Sequence, residues 1–150
     1  MKNEPELQIL PNGYREWHLN GKRHRQDGPA IEHPNGTREW WLNGKLHRQD
    51  GPAAESPDGY RVWYLDGKLH RQDGSAVEYP NGYREWWLNG ERHRPDGPAI
   101  EHSDGSREWY LNGKELKDQK DFLKKLKKTV SEERFEEIKN LLEIREVMQS

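Results

Sequence analysis

A unit of 23 residues, copied five times, restricts this chain more than any other feature. Pro11, Pro34, Pro57, Pro80 and Ser103 open the copies, and Trp17, Trp40, Trp63, Trp86 and Trp109 keep the same step. Leu19, Leu42, Leu65, Leu88 and Leu111 keep it too. His24, His47, His70 and His93 follow in four copies, and Leu116 stands in the fifth. A period of this length marks stacked units, each too small to bury its apolar face alone.

The local grammar of the unit is that of a β-hairpin. Ala30 to His33 suits a strand, and Pro34-Asn35-Gly36 suits a bulged three-residue loop. Thr37 to Leu42 reads as the second strand. Asn43-Gly44 reads as a type I′ turn, whose two central residues need positive φ, and Lys45 to Arg48 as the return. Gln49-Asp50-Gly51-Pro52 then interrupts the ladder, because Pro has no N–H to give and Gly permits a bulge. An antiparallel meander follows, with about two strands per copy.

The turns set the pairing. Leu42 faces Lys45 across the tight turn, so Trp41 faces Leu46 and Trp40 faces His47. His33 faces Thr37 across the longer loop, so Glu32 faces Arg38 and Ala30 faces Trp40. Alternation along a strand then separates two faces. One carries the repeated residues Arg38, Trp40, Leu42, His47, Ala30 and Glu32. The other carries the varied ones Thr37, Glu39, Trp41, Leu46, Ile31 and His33.

Composition alone points to disorder, with 30% hydrophobic and 35% charged residues and a mean hydropathy of -1.36. Seven Trp and six Tyr argue for a fold, and a one-layer sheet reconciles the two. On the repeated face, Trp17, Trp40, Trp63, Trp86 and Trp109, with His24, His47, His70 and His93, read as the structural core of the array. Each Trp contributes up to about 4–6 kcal/mol of burial. Glu32–Arg38, Glu55–Arg61, Glu78–Arg84 and Glu101–Arg107 read as register-fixing pairs.

From Asp118 the apolar period becomes helical. Phe122, Leu123, Leu126 and Val130 stripe a Lys-rich helix running to about Lys128. Ser131 suits an N-cap for a Glu-rich helix whose buried face is Phe135, Ile138, Leu141, Leu142 and Val147. The opposite charges suggest that the helices pair, as a hairpin capping the open end of the array. Leu116 in place of His fits a site that the helices cover. The expected division is 1–10 as a partial strand, 11–117 as the hairpin array and 118–150 as the helical hairpin.

The chemistry points away from catalysis. There are no cysteines, hence no disulfides or thiolate metal site. The four histidines sit one per copy, without the convergence that a metal demands. A His-Arg-Gln-Asp-Gly run repeated in equivalent settings reads as a turn requirement rather than an acid–base pair. No cofactor is expected. The net charge of -2 gives no general reason to bind nucleic acid or an anionic membrane. With no apolar leader and no spanning stretch, a cytoplasmic protein is the expectation.

The varied face supplies the candidate recognition surface: the aromatic row His18, Trp41, Tyr64, Trp87 and Tyr110, flanked by Arg23, Leu46, Leu69 and Arg92. Trp, Tyr and Arg dominate interface hot spots, and variation on a constant scaffold is how repeat proteins gain specificity.

The segment Gly36-Thr37-Arg38-Glu39-Trp40-Trp41-Leu42-Asn43-Gly44-Lys45-Leu46-His47 resembles the MORN-type repeat, a β-hairpin unit of the same length. The resemblance spans about residues 11 to 116. It departs at Arg48-Gln49-Asp50-Gly51-Pro52-Ala53, where that family usually has Gly-x-Gly. MORN-like arrays occur in small bacterial and viral proteins, antitoxins among them, which implies partner binding. Choline-binding wall repeats are also Trp-rich hairpins, but their period is nearer 20 residues and they are secreted.

The sequence thus predicts a mostly β, single-layer antiparallel MORN-like array of about five repeats with a two-helix cap. Its expected role is non-enzymatic: binding another protein, to inhibit or sequester it. The alternatives are a nucleotide or sugar held between repeats, and anionic lipid bound through Lys124-Lys125-Leu126-Lys127-Lys128.

Overall fold

The computed structural model describes residues 3–149. The outermost residues of the predicted terminal segments, Met1, Lys2 and Ser150, lie outside the described residues. The fold is the expected one: a long antiparallel array of hairpins followed by two helices. A twelve-stranded sheet runs from Glu6–Ile9 at one end to Lys114–Leu116 at the other. The predicted partial strand, Glu6–Ile9, pairs with Arg15–Leu19.

Within a central copy the meander is more finely divided than two strands per unit. Ile31–Glu32 and Arg38–Glu39 belong to the long sheet, whereas Trp41–Leu42 and Lys45–Leu46 form a separate two-stranded hairpin. The division falls at Trp40, within the segment expected to be one strand. The Trp40 N–H donates to the Ala53 carbonyl in the long sheet, while its own carbonyl accepts from the His47 N–H in the hairpin. One residue changes ladders between its donor and its acceptor. In the first and fifth copies the strand stays continuous, as Arg15–Leu19 and Arg107–Leu111. There Leu7 pairs with Trp17, and Trp109 with Leu116.

The turns behave as their residues dictate. Asn43 and Gly44 sit at φ 51° and 78°, and Gly36 closes the longer loop at φ 86°. Register follows the expected pairs, with Glu32 opposite Arg38 and Trp41 opposite Leu46. The expected ion pairs are redistributed, however. Arg38 reaches Glu55 on the following strand at 2.8 Å, and Glu32 is taken by Arg15 at 3.3 Å. Each Arg38-type strand lies between two Glu-bearing strands, so a guanidinium can choose either neighbour.

The varied face is partly packed. Ile31, Val62, Val77 and Ile100 are buried on it, and the alanines Ala30, Ala53, Ala76 and Ala99 are fully buried. Helix α1 (Gln119–Leu126) and helix α2 (Glu132–Gln149) close the far end. Asp118 accepts the Asp121 N–H at 2.8 Å, and Ser131 Oγ accepts from Arg134. Phe122, Leu126, Phe135, Ile138 and Leu142 join Trp109 and Leu116 in the largest core. Leu116, where other copies have His, is buried there as expected.

Two helix expectations are corrected. The helices meet through this apolar core, and the charge pairing between them comes down to Lys127 and Glu132 at 3.7 Å among the described residues. Leu141 and Val147, expected to be buried, are exposed: Leu142 takes the buried face with Ile138 and leaves Leu141 beside it in solvent, and Val147 lies in the last turns of α2. No helix among the described residues is long and apolar enough to cross a membrane.

Candidate functional site

The repeated face is built around a Trp–Arg stack that sequence reasoning missed. The guanidiniums of Arg25, Arg48, Arg71 and Arg94 lie 4.0, 3.9, 3.9 and 3.8 Å from the ring centroids of Trp17, Trp40, Trp63 and Trp86. Arg48 Nε also donates to Asp50 at 3.0 Å, and its Nη1 to the Pro52 carbonyl. The guanidinium beside Asp50 holds that carboxyl below its ordinary pKa; Asp27 and Asp73 are held down in the same way. Gly51 is required by this arrangement, since an added Cβ would stand 2.9 Å from Arg48 Cζ. The Arg-Gln-Asp-Gly run is therefore a receptacle for a guanidinium. Its signal in the sequence was an Arg eight residues after the repeated Trp in the first four copies.

His47 faces Trp40 as expected, its backbone N–H donating to the Trp40 carbonyl, but the four histidine rings form no stack with the Trp rings among the described residues. They staple one copy to the next. Nδ1 of His24 accepts the backbone N–H of Asn43 at 3.1 Å, 19 residues on. His47 does the same for Asp66, His70 for Asn89 and His93 for Asn112. The same Nδ1 atoms lie 3.0, 2.9 and 2.9 Å from the side-chain Oδ1 of Asn43, Asp66 and Asn89, so each ring meets both the backbone and the side chain of the turn residue. Burial pushes the His93 pKa down, only partly offset by its hydrogen bond with Asn112 and by Glu91. Among the described residues no group of three or more His, Cys, Asp or Glu could hold a metal ion.

Clefts open on this face at each step of the array. One lies between the loops of Arg25 and Arg48 around Trp40, the next around Trp63, and a third around Trp86, where Arg134 of α2 joins the rim. The cleft around Trp63 has a volume of about 790 Å³.

On the varied face the predicted row is assembled as a row, but its members are half-buried rather than projecting, and Tyr110 is buried. Arg23 lies 5.2 Å from the Trp41 ring, and Arg92 lies 5.1 Å from Trp87 and 5.3 Å from Tyr110. Each arginine thus reaches the aromatic residue of the following copy. His18 Nδ1 is buried with no partner among the described residues.

A line of glutamates ties this face down. Glu39 accepts from Trp41 Nε1 at 2.9 Å and bonds His33 at 2.8 Å. Glu85 accepts from Trp87 Nε1, Tyr83 and Arg92, and Glu108 from Tyr110. His102 beside Glu108 lowers that carboxyl's pKa.

The third copy breaks the pattern. Val62 stands where the others have Glu16, Glu39, Glu85 and Glu108, and it pairs with Ala54 and Val77. Leu46 and Leu69 occupy the Arg23 and Arg92 places nearby. Tyr60 and Tyr79 pack at 4.8 Å between centroids, and Tyr79 remains 44% exposed. Burial, with Tyr79 adding to it, pushes the Tyr60 hydroxyl up to about 12, and burial alone raises Tyr64. The middle of the varied face is thus an uncharged aromatic patch between two charged flanks. The substitution of Val62 for Glu was its signal in the sequence. No protein-family model matches the chain, and no curated protein matches it either.

Proposed function

We propose that this chain is a non-enzymatic binding protein that recognises another protein through the varied face and sequesters it. The uncharged patch of Tyr60, Val62, Tyr64, Leu69 and Tyr79 supports that reading. Its flanks carry Arg23, Glu16 and His33 on one side and Arg92, Glu108 and His102 on the other. An apolar, aromatic centre inside a charged rim is the anatomy of a protein interface. Trp41 and Trp87, whose ring N–H groups are already satisfied, become rim residues, and the weight moves to the Tyr64 copy.

The test is Tyr79→Glu, which sets a charge on the exposed member of the patch without touching the buried Val62. Circular dichroism and melting should stay close to those of the parent chain. Capture of the partner from lysate of the native cell should fall at least tenfold. Undiminished capture by the folded variant would defeat the proposal.

A further inference from the structure

The repeated face carries donors that nothing among the described residues uses. The indole N–H groups of Trp41 and Trp87 are bonded to glutamates, but those of Trp40, Trp63 and Trp86 have no acceptor among the described residues. The amides of Gln26, Gln49 and Gln72 are exposed and likewise unbonded among the described residues. Both kinds of group line the clefts: Trp40 with Gln26 and Gln49, Trp63 with Gln49 and Gln72, and Trp86 with Gln72. Each cleft thus combines free N–H donors with a Trp whose ring is covered by its stacked arginine.

The spacing of the clefts selects among ligands. Each copy adds two strands to the long sheet, so successive clefts advance by about 9.5 Å at the usual spacing between strands. A polyproline II helix repeats every three residues, or about 9.3 Å. An extended strand returns a side chain to the same face every ~6.8 Å and falls out of step. The polyproline II backbone also makes no internal hydrogen bonds, so its carbonyls are open to the indole and amide donors.

We infer that the three Trp–Gln clefts bind a proline-rich segment of another protein in the polyproline II conformation, one turn per cleft. This site is on the opposite face from the Tyr64 patch and stands independently of it.

Blocked oligoprolines of three, six, nine and fifteen residues, titrated against the intact chain by calorimetry and Trp fluorescence, test the inference. Affinity should climb at least tenfold from six to nine residues and level off by fifteen, because three turns fill three clefts. Gln49→Ala with Gln72→Ala, both on the surface, should leave the circular dichroism spectrum unchanged and weaken the nonamer at least fivefold. Tyr79→Glu should leave nonamer binding unchanged, which separates this site from the varied face. The inference is overturned if the nonamer shows no saturable binding. It is equally overturned if a Gly-Ser peptide of the same length binds as well, or if the double Gln variant binds undiminished.

Discussion

The guanidinium of Arg48 lies 3.9 Å from the centroid of the Trp40 ring, with Gly51 packed against it. The same stack recurs at Arg25, Arg71 and Arg94. It explains why a chain so rich in charge can fold: many of its cations lie over aromatic rings, where a partly desolvated pair contributes about 1–2 kcal/mol. The fifth copy has no such arginine, and there Phe122 of α1 meets Trp109 at 4.8 Å.

Gly51→Ala should expel the guanidinium, because the new methyl would overlap Cζ. We expect a loss of about 1–2 kcal/mol by urea denaturation. In an Arg48→Ala background the same change should have little effect, since the group it clashes with is gone.

Phe122→Ala should be far more damaging. Its side chain is fully buried between the last copy and α2, and truncating such a residue costs about 3–5 kcal/mol. Hydrogen exchange should show α1, α2 and the fifth copy losing protection while the first copies keep theirs, as expected when each unit contacts only its neighbours.

His93 should make stability depend on pH. Its folded pKa lies below the ordinary value of 6.5, chiefly through burial. The unfolded chain therefore takes up the proton first as pH falls. The His93 contribution is complete above pH 6.5 and declines as pH drops from there towards the folded pKa. Stability measured at pH 7.5 and 5.5 should show a smaller difference in His93→Leu, which copies the Leu116 of the fifth unit. An unchanged difference would remove His93 as the cause.

Tyr60 should titrate late. Ultraviolet titration of the folded chain should show a phenol ionising near pH 12, absent in Tyr60→Phe, because burial and the neighbouring Tyr79 disfavour the phenolate. Binding of a protein partner over the patch should raise it further.

Much of this protein is a consequence of sequence alone. Period, turn type and strand alternation are local properties, so the Asn43-Gly44 turn, the Glu32 and Arg38 register and the separation of Trp40 from Trp41 could all be read from one copy. The Ser131 cap was equally local. Tertiary structure decided what depends on how one copy lies against the next. The His24 bond to the Asn43 backbone joins groups 19 residues apart, and Arg38 took Glu55 over its own hairpin partner. The ladder change at Trp40 likewise needs the Ala53 carbonyl, 13 residues on. The exposure of Val147 was hidden for the same reason, since a helical stripe records which side is apolar but not where the surface beneath it ends.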